Sequence, residues 1–209
     1  MKKLLIWGAG DQGTVTLDCA LATKQYDQID FLDFKEKGHR EIPGYTIYQE
    51  AKEDLTCFIK QYDEVIVASG DNMLRKEKIE FLSSLQVSLA TIIHPSAIIS
   101  PLANIGKGNT ILANTIINCN ASIGIGCIIN NGSIIEHDCV VEDFVNICPK
   151  VAMAGHTEIG TMSFLGIGST MIDDVKVGSN VIVGAGTVIV KDIPNNVTVV
   201  GVPAKIIKS

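Results

Sequence analysis

This 209-residue chain lacks three things, and each absence removes a class of function. No basic tract offsets its net charge of −6, so contact with a nucleic-acid backbone is not expected, although one local positive site for a phosphate is compatible with that balance. No apolar run is long enough for a membrane span or a signal segment. The first one, Leu4–Trp7, is interrupted at once by Gly8 and Asp11, and a cytoplasmic location is expected. The six cysteines never fall in C-x-x-C spacing, so they read as reduced structural thiols and no metal is expected. At 46% hydrophobic residues the chain has enough apolar material for a buried core.

What the chain does have is a period of six. Every sixth residue from Ile93 to Ile189 is aliphatic or Met, through Ile99, Ile105, Ile111, Ile117, Ile123, Ile129, Ile135, Val141, Ile147, Met153, Ile159, Leu165, Met171, Val177 and Val183. Neither a helix nor an ordinary strand repeats at six, so the period belongs to a solenoid of short strands and fixed corners. Four residues after these positions stand small or branched side chains, among them Ala97, Ala103, Thr115, Ala121, Cys127, Ser133, Cys139, Val145, Ser163, Ser169 and Thr187. Both sets are expected to point inward. A second period of eighteen, in Gly106, Gly124, Gly160 and Gly178 with Glu142 in the same slot, makes three hexads one coil of a triangular prism. At strand spacing the prism is roughly 27 Å long, and residues eighteen apart are stacked neighbours.

Residues 1–90 read differently. Apolar runs at Lys3–Trp7, Gln28–Leu32, Glu64–Ala68 and Gln86–Ile92 alternate with helix-like segments at Gln12–Thr23, Glu50–Gln61 and Asn72–Leu85, the pattern of a small parallel α/β sheet. The first turn, Gly8-Ala9-Gly10-Asp11-Gln12-Gly13, matches G-x-G-x-x-G, and Asp33 follows about twenty residues later at the end of the second strand. Such a loop seats a pyrophosphate on a helix N-terminus. Ninety residues leave little room for the second half that a full dinucleotide fold requires. A nicotinamide-dependent oxidoreductase is therefore disfavoured.

Taken together, the Gly8–Gly13 loop, Gly70-Asp71-Asn72 with Arg75, Ile135-Glu136-His137-Asp138, Phe164-Leu165-Gly166-Ile167 and the closing Gly201-Val202-Pro203-Ala204-Lys205 resemble the hexapeptide-repeat sugar acetyltransferases. The subfamily in question is that of the sialic-acid O-acetyltransferases and the N-acetyltransferases of nucleotide-linked 4-amino sugars. The resemblance implies an α/β Rossmann-like domain at 1–90 followed by an all-β left-handed parallel β-helix at 91–209. Handedness comes from the family, since the usual crossover preference is right-handed. It implies a nucleotide-linked amino sugar held by Gly8, Gly10, Asp11, Gln12, Gly13, Asp33, Asn72 and Arg75. It also implies acetyl-coenzyme A along Asn146, Gly155, His156, Phe164, Gly166, Ile167, Ala185, Gly186 and Lys205, in a homotrimer with sites between subunits. The implied reaction is N-acetylation of a 4-amino-4,6-dideoxy sugar for surface polysaccharide or glycan synthesis. Sugar O-acetylation and a non-catalytic scaffold are the alternatives. Gln12, Asn146 and His156 depart from the His, His and Asn common at those places in the family.

His137 is the expected catalytic base. It is third in its hexad, on the outward part of the strand or its corner, and one coil later the same place is Gly155. Imidazole titrates near neutral pH and suits proton removal from an attacking amine. Asp138 is expected to orient the ring, with Glu136 as the substitute if Asp138 turns to the stacked His156. Cys119, eighteen residues before His137, leaves a covalent acyl-enzyme open as a second mechanism. His39, His94 and Trp7 read as structural.

Overall fold

Two neighbouring strands of the first unit have apolar centres because both faces of their sheet are covered: Leu4, Leu5, Ile6, Val65 and Ile66 are wholly buried. Strands β1 (Lys3–Trp7), β2 (Gln28–Asp33), β3 (Ile47–Gln49) and β4 (Glu64–Val67) lie parallel in the order β3-β2-β1-β4. Helices α1 (Asp11–Thr23), α2 (Leu55–Ile59) and α3 (Asn72–Ser84) alternate with them. This computed structural model describes residues 1–34, 42–50 and 53–208, in two compact units, Met1–Pro95 and Ser96–Ser209. His39 lies outside the described residues, as do positions 51 and 52 of the expected Glu50–Gln61 helix. The described part of that helix is shorter. It is opened by Asp54, whose carboxylate accepts from the Cys57 N–H. The apolar run at Gln86–Ile92 is not a full strand. It touches the sheet at one bridge, Leu89 beside Val65, while β3, too short and mixed to be read in advance, takes the edge beyond β2. No helix among the described residues is long and apolar enough to cross a membrane.

The second unit is built from two-residue strands six apart, such as Ile134–Ile135, Val140–Val141 and Asn146–Ile147. Each pairs in parallel with the strands eighteen residues before and after it, Ile135 with Ile117 and Met153. Three sheets result, and they are the walls of a left-handed β-helix. Ile111, Ile129, Ile135, Ile147 and Ile159 are wholly buried, and so are the fifth-position residues Thr115, Ala121, Cys127, Ser133, Cys139 and Ser163.

The fourth position of the hexad is the corner, a feature the inward pattern does not disclose. From Gly108 to Gly186 every sixth residue has positive φ. Ten of these fourteen are Gly, Asn or Asp, the residues that enter the left-handed region most easily. Phe144, Lys150, His156 and Met162, at φ of 58° to 65°, are the others, and each costs about 1–2 kcal/mol. The corners are stapled from coil to coil: the N–H of each from Gly126 to Gly186 donates to the carbonyl nineteen residues earlier, as Asp138 does to Cys119 and His156 to His137.

The walls differ outside. One presents Asn104, Ser122, Val140, Glu158 and Lys176. Another presents Ile98, Ile116, Ile134, Ala152, Thr170 and Val188, and Ile98 is 66% exposed.

Asn109 is wholly buried at an early corner. Its Nδ2 donates to the carbonyls of Gly106 and Gly124, and its Oδ1 accepts from the Cys127 N–H at 2.6 Å. Replacing it strands buried backbone groups, each worth about 1–3 kcal/mol. Asn109→Ala is expected to lower the unfolding free energy by at least ~2 kcal/mol, read as a lower urea midpoint with an unchanged slope.

Candidate active site

In the first unit a cavity of about 440 Å³ opens between the β1–α1 loop and the start of α3. The three loop glycines have different reasons to be there. A Cβ on Gly8, which has φ +123°, would lie 2.4 Å from the Ala68 carbonyl oxygen, and one on Gly13 would lie 2.1 Å from that of Gly8. Both are required by the packing of loop, strand and helix. A Cβ on Gly10 would meet nothing within 4 Å, so its bareness serves the cavity that it lines. Gly10 also caps α1 without a side-chain hydrogen bond, at the positive end of the helix dipole.

Asp11, Gln12 and Asp33 line the same cavity. Asp33 braces the loop, accepting from the Ala9 N–H at 2.8 Å and the Phe34 N–H at 2.7 Å. The Gln12 Nε2 is buried and has no hydrogen-bond acceptor among the described residues, so it is a donor available to a ligand. Asn72 and Arg75 are placed differently from the sequence expectation: neither lines the cavity. Arg75 is wholly buried and donates to the Ser69 carbonyl and the Asn72 Oδ1, both at 2.7 Å, so it props the loop from behind. The side of α3 facing the cavity carries Leu74 and Lys78 instead, four residues apart as one helix face requires. That spacing was the available signal for Lys78. Its Nζ pairs with Glu50 at 2.5 Å and stands 4.2 Å over the Trp7 ring.

In the second unit the corner after Ile134–Ile135 carries the imidazole. His137 Nδ1 lies 2.9 Å from Asp138 Oδ2, and the other carboxylate oxygen accepts from Asn120 Nδ2 at 3.1 Å. Asp138 is held below the usual carboxylate range, chiefly by the His137 contact and next by Asn120. It therefore remains an acceptor through the lower end of the working pH range. Nδ1 must then be the donor, leaving the lone pair on Nε2. Glu136 is engaged elsewhere, accepting from Asn118 Nδ2 at 2.9 Å.

The ring of His137 lies over Gly155. A Cβ there would fall 2.6 Å from Cε1 and 2.8 Å from Nε2, so the space expected for an incoming thioester is occupied in part by the imidazole itself. Among the described residues the Gly155 N–H has no acceptor. His156 stands at the next corner of the column with its ring centroid 5.2 Å from that of His137. Cys119 is half-buried one coil below, and its carbonyl accepts from Asp138.

The remaining expected residues sit on another edge. Asn146 is 7% exposed and Phe164 half-buried on the wall that also carries Ile182. Gly166 is bare because a Cβ would lie 2.6 Å from the Val183 carbonyl oxygen. Ile167, Ala185 and Gly186 are exposed at the corner that follows, and Lys205 is exposed on a strand antiparallel to Thr198–Val200. That corner and the His137 corner bound the apolar wall from opposite sides. One chain does not bring them together. A cavity of about 470 Å³ on the polar wall of this unit is lined by no imidazole, and Glu142, Glu158 and Asp192 there already hold the Thr161 N–H, the Lys176 ammonium and the Lys176 N–H.

Comparison with known proteins agrees with this architecture. Residues 3–82 match the PglD N-terminal domain, and residues 156–191 match the bacterial transferase hexapeptide repeats. A histidine-to-asparagine variant of perosamine N-acetyltransferase from Caulobacter crescentus, solved with CoA and GDP-perosamine, is 32% identical with a TM-score of 0.93, over 100% of this chain and 98% of that one. The acetyltransferase domain of PglB from Neisseria gonorrhoeae is 35% identical with a TM-score of 0.92, over 99% and 100%. A serine acetyltransferase of Buchnera aphidicola is 35% identical over 135 residues, 63% of this chain and 47% of that protein. The chain thus spans about half the length of that curated relative.

Gly155 has no positive φ, so alanine is compatible with its backbone and the clash falls on the ring. Gly155→Ala is expected to leave the melting temperature within a few degrees of the parent, since the added methyl meets an exposed ring and not the core. Acetyl transfer is expected to fall at least ~10-fold, because displacing a base from hydrogen-bond reach forfeits much of its effect. Parallel melting curves and initial rates test this.

Proposed function

We propose a specific reaction for this chain, which belongs to the hexapeptide-repeat N-acetyltransferases of nucleotide-linked amino sugars: transfer of acetyl from acetyl-coenzyme A to the 4-amino group of a nucleotide-linked 4-amino-4,6-dideoxy sugar. The single observation that carries the reading is the His137–Asp138 pair, poised over Gly155 at an accessible corner. The match to perosamine N-acetyltransferase along the whole chain does not favour the sugar O-acetylation alternative.

The neutral amine attacks the thioester carbon while His137 Nε2 accepts its proton, a step that contributes typically 10²–10⁴-fold. Asp138, a carboxylate against Nδ1, stabilises the imidazolium that forms. The carbonyl oxygen gains negative charge in the tetrahedral intermediate, and the Gly155 N–H is the donor for it, worth roughly 3 kcal/mol. Collapse breaks the carbon–sulfur bond, and the departing thiolate takes up the proton from His137. In the first unit the positive end of the α1 dipole, the bare Gly10 and the Gln12 amide suit the diphosphate of the acceptor.

The walls support a trimeric assembly. His137 and the Ile167–Gly186 corner flank the one wall that presents Ile98, Ile116, Ile134 and Val188. Three prisms packed on that wall bury it and set the His137 corner of one beside the Ile167 corner of the next, where the pantetheine arm would lie. The active species is accordingly a homotrimer, at work in the cytoplasm on precursors of a surface polysaccharide or glycan.

His137→Ala is expected to lower kcat by at least ~10² with little change in the KM for acetyl-coenzyme A; an unchanged rate at saturating substrates overturns the assignment. Cys119→Ser is expected to keep most activity. Mass spectrometry after acetyl-coenzyme A alone should show no added acetyl group, and acetylation at Cys119 would replace the direct mechanism with a covalent one.

Ile134→Glu places a charge at the centre of the apolar wall. Sedimentation is expected to shift from trimer to monomer with loss of activity, whereas a fully active monomer sinks the shared site.

A further inference from the structure

His137, Asp138 and His156 each offer one ligand atom, and these atoms all lie within 4.8 Å of one another. We infer that they form a binding site for a borderline divalent transition-metal ion of the Zn²⁺ type, whose occupancy inhibits acetyl transfer. Four observations carry it. The donor set is two imidazoles and one carboxylate, which suits Zn²⁺, Co²⁺, Ni²⁺ or Cu²⁺ and disfavours Mg²⁺. The backbone under two of the three ligands is fixed, because Asp138 and His156 are corner residues at φ 58°, stapled to Cys119 and His137 by their own N–H groups. The carboxylate already has the outer hydrogen bond typical of a metal ligand, from Asn120 Nδ2. Finally, the ligands are accessible, with side chains of His137 and Asp138 46% and 37% exposed. A tetrahedral ion with bonds of about 2.0–2.1 Å holds its donors closer together than 4.8 Å, a gap that side-chain rotation on a fixed corner can close.

The consequence for chemistry is direct. A neutral imidazole has one lone pair, and a metal that takes it from His137 leaves none to accept the proton of the attacking amine. This inhibitory half rests on the base assignment proposed above; metal binding itself does not. The site also goes beyond what sequence spacing discloses, since positions 137, 138 and 156 match no linear ligand motif and meet only because one coil is eighteen residues.

The test is titration of the purified trimer with Co²⁺, followed by its d–d absorption, and with Zn²⁺ by calorimetry. One ion per chain is expected, with a tetrahedral-type Co²⁺ spectrum that is lost in His156→Asn and kept in Cys57→Ser, the exposed thiol. Asn120→Ala should weaken binding about 10-fold or more. Zn²⁺ should inhibit the parent reversibly, and millimolar Mg²⁺ should do nothing. Equal binding by His156→Asn, or no d–d spectrum, overturns the site. Stoichiometric binding without inhibition overturns the inhibitory role, and a His137→Ala rate loss in that same experiment would show the proposed function still standing.

Discussion

The corner hydrogen bond is the interaction on which the second unit depends. From Gly126 to Gly186 every sixth residue enters the left-handed region and gives its N–H to the carbonyl nineteen positions earlier. One bond per corner both turns the chain and ties successive coils, so the prism keeps its register without long strands. The strands of the coils up to Ile189 are two residues each, too short to hold a sheet on their own. Where Gly, Asn or Asp occupies the corner, the conformation is cheap. Four successive corners, Phe144, Lys150, His156 and Met162, use costlier residues, and they follow directly upon the His137 corner.

The same constraint builds the chemistry. The corner fixes the Asp138 backbone, and its carboxylate is set beside the preceding imidazole by hydrogen bonds to His137 and Asn120. Its position answers the choice between the two acids flanking His137: Asp138 faces Nδ1, and Glu136, one step nearer the strand, is taken up by Asn118 in the stacked coil. Gly155 completes the arrangement by lacking the methyl that would strike the ring. In the first unit the economy is similar. Gly8 and Gly13 satisfy packing, whereas Gly10 and Gly70 line the cavity with open space where a Cβ would stand. Arg75 spends its charge on the loop behind the cavity, which leaves Lys78 as the cation at the cavity wall.

Much of this was legible in the residues. A strict period of six is incompatible with any ordinary element, so the solenoid, its inward positions and the stacking of residues eighteen apart follow from counting. The α/β character of the first unit follows from alternating apolar runs and helix-like segments, and His137 stands out because its hexad position faces outward. The corner conformation was less visible, because Phe144, Lys150, His156 and Met162 hide a rule that the Gly, Asn and Asp at the other corners obey.

Other features were decided only by the tertiary structure. Whether Asn72 and Arg75 face a ligand or the loop depends on how α3 is rotated against β4, and no local pattern sets that angle. Which short segments extend the sheet is set by tertiary pairing, Phe31 with Ile47 beyond β2 and Val65 with Leu89 beyond β4. The distances that make His137, Asp138 and His156 a group arise from closing a coil. A sequence determines its own periodicity, because each hexad repeats the same local choice; it does not by itself state which side chains converge, because convergence is a property of the whole packed turn.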